Sequence, residues 1–338
     1  MANATAGAWG SWRRRGAAPL VAGVLLVLAA AVPAAALEVL VTNDDGVGAE
    51  GIAVLVERLA AEPGVDVVVV APAENQSGTS DRFTDGPLAV RPAETARGFP
   101  ATAVEGFPAD TVLFAVLGQG MRPDLVVSGI NAGQNVAELV NVSGTVGAAR
   151  AAARLGIPAL ALSQGLSGAI RYEAAAEYAA SLVDLFRTST TFRRLLSGAP
   201  GSAVARILNI NFPTCDEGEL RGVRLVPLGS LRRVAGYKPA AEEGKWQPVI
   251  ARTAAGSTDC RSSLELPGSD LEAMSNGFAA VTPLGPDLED PGIARAFSRF
   301  VQTGSTPRRG RELPGLGDGP PAGRRAIRQP GPRLPRLP

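Results

Sequence analysis

The stretch LEVLVTNDDGVGAEGI, Leu37–Ile52, constrains this chain more than any other. A short apolar run, Val39-Leu40-Val41, stops at Thr42-Asn43-Asp44-Asp45-Gly46, and a helical pattern begins near Glu50. A buried strand, a tight turn and a helix start open a βαβ unit. In open α/β sheets, ligands bind just past the carboxyl ends of strands, where Asp44 and Asp45 fall. Two adjacent carboxylates there repel each other and lose hydration. A hard cation, Mg²⁺ or Mn²⁺, relieves both costs by taking oxygens from the pair. The same residues also suit a plain turn with both acids solvated, since Asp and Gly are common turn formers.

The 338 residues contain no histidine. That excludes Ser-His-Asp and Cys-His mechanisms and His-ligated zinc. Acid–base or metal chemistry falls to carboxylates, amides, hydroxyls, lysine or water. A net charge of +1 gives no reason to expect nucleic-acid binding, and 46% hydrophobic residues suffice for the core of one large or two small domains.

Residues 1–36 read as a signal peptide. Arg13-Arg14-Arg15 form a basic start, Ala17 to Ala31 an apolar run, and Ala34-Ala35-Ala36 a small-residue cleavage site. An uncleaved anchor is the alternative, because the run approaches spanning length. Cleavage would leave a periplasmic or otherwise exported protein with no stable membrane anchor.

Further along, the pattern predicts a helix over Gly51–Ala61, with Ile52, Leu55, Val56 and Leu59 on one face. Val65–Val70 is a β-branched run suited to a parallel strand buried on both faces. The polar loop Ala73–Ser80 follows it. Short strands are expected at Leu88–Pro92 and Thr102–Gly106, a helix at Ala109–Leu117, and a buried strand at Asp124–Ile130. Ser143-Gly144-Thr145 opens an alanine-rich helix reaching about Leu155, with Ser143 as N-cap. The N–H groups of Gly144, Thr145 and Val146 would face outward there, a ready phosphate site. A plain cap accounts for the same residues.

Strands at Ala159–Ser163, Ile207–Pro213, Val223–Leu228 and Asn276–Leu284 flank a long helix at Tyr172–Phe186. The span 229–266 is irregular and polar, read as loops with a β-hairpin or a dimer arm. A short helix is expected at Ile293–Val301. Residues 303–338 are rich in Pro, Gly and Arg and read as a disordered tail. Cys215 and Cys260 bracket the irregular segment. In an oxidising compartment they have only one possible intramolecular pairing, which needs Cα atoms within about 7 Å. Free thiols or a bridge between subunits are the competing arrangements.

Four segments, in order, resemble the SurE family of survival-protein nucleotidases. They are VLVTNDDGVGAEGI within Glu38–Ile52, VVVVAPAENQSGTS at Val67–Ser80, PDLVVSGINAGQN at Pro123–Asn135 and SGTVGAARAAARLGIPALALS at Ser143–Ser163. A fainter match is Gly268-Ser269-Asp270. The resemblance implies a Rossmann-like, mostly parallel α/β sheet flanked by helices, with a C-terminal β-hairpin or irregular extension on a domain over 37–302. It implies a metal-dependent phosphomonoesterase, of the 5′-nucleotidase and acid-phosphatase type, that hydrolyses nucleoside 5′- and 3′-monophosphates. One divalent Mg²⁺ or Mn²⁺ would sit on Asp44, Asp45, Ser77 and Asn131, with Asp44 and Asp45 also the catalytic pair. Asn43, Asn135, Ser143, Gly144 and Thr145 would surround the substrate phosphate, and a homodimer or homotetramer would form. Short-chain exopolyphosphatase activity, or nucleotide binding without catalysis, are the other functions it leaves open. The chain departs from the family where Asp-Asp and Tyr usually precede Ser-Gly-Thr: Ala137, Glu138 and Val142 stand instead. Most members are cytoplasmic, whereas this chain begins with a signal-like segment.

Overall fold

The computed structural model describes residues 36–287, except 167, 199–201, 232–233, 243 and 251–257, together with Phe297 and Phe300. The expected signal peptide and tail lie outside these residues, as does most of the helix expected at 293–301.

The first strand, β1 (Leu37–Thr42), is followed by α1 (Glu50–Ala60) and β2 (Val65–Pro72). Next come β3 (Val90–Glu94), β4 (Pro100–Val104) and α2 (Pro108–Leu113), the last continued by a π-helical turn at Phe114–Gly118. Then follow β5 (Leu125–Ala132), α3 (Gly144–Arg154), β6 (Ala159–Gln164), α4 (Glu173–Thr188) and α5 (Thr190–Ser197). The chain continues through β7 (Ile207–Phe212), β8 (Val223–Leu225), β9 (Val234–Pro239), β10 (Trp246–Ile250), α6 (Asp270–Ser275) and β11 (Ala279–Leu284).

Nine strands form one sheet in the order β3-β4-β2-β1-β5-β6-β7-β11-β8. β4, β2, β1, β5, β6 and β7 run parallel to their neighbours; β3 and β11 pair antiparallel with β4 and β7. Chain order reverses direction at β1, with β2 on one side and β5 on the other. That switch point opens a crevice at the carboxyl ends of β1 and β5.

Strand alternation sorts the core. Val39 and Val41 face α1, α4 and α5 in one apolar cluster, while Leu40 faces α2 and α3 in another. The expected stripe of Ile52, Leu55, Val56 and Leu59 on α1 is fully buried. Phe297 and Phe300 pack on Phe192 of α5, with ring centroids 5.7 and 5.4 Å away.

Several boundaries differ from the sequence expectation. β3 and β4 lie at 90–94 and 100–104 because they pair as a hairpin, whose turn is closed by Thr95 N–H donating to Phe99 O at 2.9 Å. Pro92 is tolerated because β3 is an edge strand. α5 and α6 were not anticipated. Both start on a serine cap: Ser189 accepts from Phe192 N–H, and Ser269 from Glu272 N–H. The irregular extension does contain a hairpin, β9 with β10, which carries exposed Tyr237 and Trp246.

Cys215 and Cys260 form a disulfide with Cα atoms 5.8 Å apart. It joins the segment after β7 to the segment before α6, across the most irregular stretch of the chain. Replacing both cysteines by serine frees a loop spanning 45 residues, for which chain entropy predicts a loss of about 4 kcal/mol. The urea midpoint of the double variant should fall accordingly. A midpoint equal to that of the oxidised protein would show that the bridge contributes nothing.

Candidate metal and phosphate site

The acid pair is held by a turn with little freedom. Asn43 donates from Nδ2 to Gly46 O at 2.8 Å, and Gly46 takes φ +98°, a left-handed conformation that favours glycine. A Cβ on Gly46 would also lie 3.0 Å from the Glu74 carbonyl carbon. The turn therefore fits closely against the loop after β2.

Asp44 is buried and faces the start of α3. Its Oδ1 accepts from Thr145 Oγ1 at 2.6 Å. Gly144 makes this approach possible, since a Cβ there would sit 2.8 Å from Asp44 Cβ. Burial pushes the Asp44 carboxyl up to about 6; Thr145 partly offsets the rise and Asp45 adds to it. Asp45 is half-buried, and burial raises its carboxyl as well. Its Oδ2 accepts from Ala132 N–H at 2.8 Å and its Oδ1 from Asn75 Nδ2 at 3.1 Å. Among the described residues, no basic side chain pairs with either acid.

The remaining expected residues take distinct places. Asn131, at the end of β5, spends its amide nitrogen on Gly133 O at 2.6 Å, which leaves the amide oxygen as the atom it could offer a cation. Ser77 is exposed, and its backbone N–H donates to Asn75 Oδ1. Asn75 is thus the side chain that ties this loop to the acid pair, together with Gln76 N–H donating to Asp44 O at 2.7 Å. Sequence reading passed over Asn75 as one polar loop residue among several. Asn135 is buried and donates to Ser163 Oγ at 2.8 Å and Thr145 Oγ1 at 3.3 Å. Ser143 caps α3 as expected, accepting from Val146 N–H at 3.1 Å. The expectation of three outward N–H groups is corrected here. Val146 donates to the cap, and the Thr145 N–H helps hold down the Asp44 carboxyl. Tyr172, also missed, lies in the field of the pair: burial raises its phenol first, then the charges of Asp45 and Glu50.

The donor chemistry fits a hard divalent cation. Among the described residues, two carboxylates desolvated by burial have no basic partner, Asp45 is bonded to the backbone of Ala132 next to Asn131, and the buried Asn43 Oδ1 has no hydrogen-bond partner. No cluster of three or more His, Cys, Asp or Glu occurs among the described residues. With two carboxylates, amides and hydroxyls as its donors, the acid pair suits an oxygen-seeking ion better than a soft or nitrogen-seeking one.

A raised carboxyl pKa has a definite sign in stability. Asp44 prefers its neutral form in the fold, so its contribution is complete below pH 3.8 and is lost as pH rises through about 6. Metal-free protein should lose roughly 2–3 kcal/mol over that window, and Asp44→Asn should remove this part of the slope. Urea midpoints measured in chelator between pH 4 and 7 test this. A parallel slope in wild type and Asp44→Asn would assign the dependence to other groups.

The family model described as survival protein SurE matches residues 39–234. The 5′-nucleotidase SurE of Methylobacterium radiotolerans is 36% identical over 281 residues, 79% of this chain and 100% of that protein. The 5′-nucleotidase SurE of Aeromonas hydrophila is 37% identical over 257 residues, 75% of this chain and 93% of its own. The crystal structure of SurE protein from Aquifex aeolicus aligns with a TM-score of 0.58 at 30% identity, covering 78% of this chain and 99% of that one. Sequence and fold agree along the stretch that builds the acid-pair crevice, and the chain belongs to the SurE family.

Proposed function

We propose that this protein hydrolyses nucleoside monophosphates to nucleoside and phosphate, with a divalent cation at the acid pair, and that it does so after export. The observation that carries the catalytic reading is the pair Asp44–Asp45 at the switch point, with no basic partner among the described residues: Asp44 is buried and faces the start of α3, and Asp45 is half-buried against Ala132 and Asn75. Such a site is matched to an anionic substrate only when a cation accompanies it. Asp44, Asp45, Asn131 and Ser77 would hold the ion. When bound, it supplies charge neutralisation at the phosphoryl group and a more acidic water.

The chain's own groups do the rest. Thr145 and Ala132 each occupy one carboxylate oxygen, which fixes the orientation of both acids before substrate arrives. Gly144 keeps the α3 entry free of side chain, so its backbone can approach a phosphoryl oxygen. With both carboxylates engaged as ligands, water is the nucleophile in this reading.

A panel of phosphomonoesters and short polyphosphate, assayed with chelator and with Mg²⁺ or Mn²⁺ restored, tests the assignment. Nucleoside monophosphates should be turned over only with metal. Asp44→Asn and Asp45→Asn should each lose about a hundredfold or more in kcat/KM. Near-normal turnover by either variant at saturating metal would remove the pair from the chemistry.

Export is supported by the basic, apolar and small-residue order of residues 1–36. The Cys215–Cys260 disulfide adds to this, because such bridges persist in oxidising compartments. N-terminal sequencing of protein from its native cell should read from Leu37. A soluble chain that still begins at Met1 would refute export.

A further inference from the structure

β7 is buried along its whole length between β6 and β11, yet it carries two fully buried amides, Asn209 and Asn211. Residues two apart on a strand share a face, and buried amides persist only when they find partners. Both donate to the same one, while the Asn209 Oδ1 has no hydrogen-bond partner. Asn135 N–H donates to Asn211 Oδ1 at 2.7 Å, and Asn211 Nδ2 donates back to Asn135 O at 3.2 Å. Asn209 Nδ2 donates to that same carbonyl at 2.8 Å. Asn135 lies in the loop between β5 and α3, where its backbone has no strand to pair with. The two amides of β7 give it the two-way exchange that a neighbouring strand would give.

With its main chain clamped, the Asn135 side chain reaches Ser163 Oγ and Thr145 Oγ1, and Thr145 donates to Asp44 Oδ1. The sheet register supports the same path. Asn211 stands beside Ser163 of β6, and Ala280 of β11 stands on its other side. A continuous set of hydrogen bonds therefore runs from the middle of β7 to the acid pair.

We propose that Asn209 and Asn211 are positioning residues for the phosphomonoesterase reaction, acting through Asn135 and Thr145 on the placement of Asp44. The catalytic part rests on the function proposed above; the clamp itself does not. A role confined to satisfying the sheet interior would lower stability but leave the folded fraction fully active.

Two measurements on the full chain separate these. The first is hydrogen exchange at the Asn135 amide, which needs no activity. Asn211→Ala should exchange there about tenfold faster, the scale of one lost hydrogen bond, while the interiors of β6 and α3 stay protected. Asn211→Asp retains the acceptor and should restore most of that protection. The second is steady-state hydrolysis of a nucleoside monophosphate. Asn211→Ala should lower kcat about tenfold with little change in KM, and should add less than about twofold to the loss in Asn135→Ala. Asn209→Ala, which gives up one bond, carries the test if Asn211→Ala does not fold. Native exchange at Asn135 in Asn211→Ala would overturn the clamp, and fully additive kinetic losses would overturn the path through Asn135. Wild-type protein inactive on every phosphomonoester would overturn the catalytic role along with the proposed function, with the exchange result still deciding the clamp.

Discussion

Two carboxylates side by side in a partly dehydrated crevice, with no cationic side chain to meet them among the described residues, set the terms for the rest of this structure. Each has to be held by neutral donors, and each is: Asp44 by Thr145, Asp45 by the Ala132 N–H and Asn75. Burial raises both carboxyls, and the neutral donors that orient them bring the pKa values only part of the way back. Ionising the pair therefore costs the fold stability, and a positive charge at the crevice would offset that cost. Glycines at 46 and 144 follow from the same requirement, one for the turn that presents the pair, the other for the closeness of the α3 entry.

The sheet beneath the site is graded to serve it. Strands of a parallel sheet covered on both faces are ordinarily apolar throughout. On the face toward α2 and α3, Leu40, Val126 and Ile207 are indeed apolar. One step toward the carboxyl ends, a row crosses five strands as Thr42, Ser128, Ala161, Asn209 and Thr282. The next step holds Asp44, Ser163 and Asn211. Each polar member costs desolvation unless bonded, and most are: Thr42 to Thr111, Thr282 to Val226 O, the asparagines to Asn135. The gradient makes the interior progressively able to accept charge as the crevice is approached.

Legibility in the sequence followed locality. β1, the acid turn and α1 lie within the single stretch Leu37–Ala60, whose pattern, turn chemistry and periodicity agree, and they were readable at once. β2, β5, β6 and the Ser143 cap were readable for similar reasons, whereas the cysteine pairing was one of three arrangements until the fold placed the two Cα atoms 5.8 Å apart. α6 was missed although Ser269-Asp270-Leu271-Glu272 carries an S-x-x-E start signal, because six residues give no periodicity to see. Asn75 looked no different from its polar neighbours, and the resemblance drew attention to Ser77 instead. Asn209 and Asn211 read as alternation within a strand. Their partner is more than 70 residues away, and no local pattern encodes that distance.

The departure from the family pattern at 137–142 takes on meaning in the same non-local way. Glu138 does not face the acid pair as an extra charge. Its carboxylate accepts from Ser230 Oγ at 3.0 Å and from Leu231 N–H, in the segment that leads to β9. Beside it, the Ala137 N–H donates to buried Asp270, which also accepts from Gly229 N–H at 2.7 Å. The turn that leads into Ser143 is thereby fastened to the base of the hairpin extension, not left to shape the crevice alone. An acid at 138 facing the crevice would add a third negative charge next to a pair that already lacks a partner. Turned toward backbone donors, its carboxyl is held below the ordinary range by the Leu231 N–H. Glu138 thus serves as an anchor to the segment that leads to β9. The extension is thereby tied to the turn that precedes Ser143, even though it lies some 90 residues further along the chain.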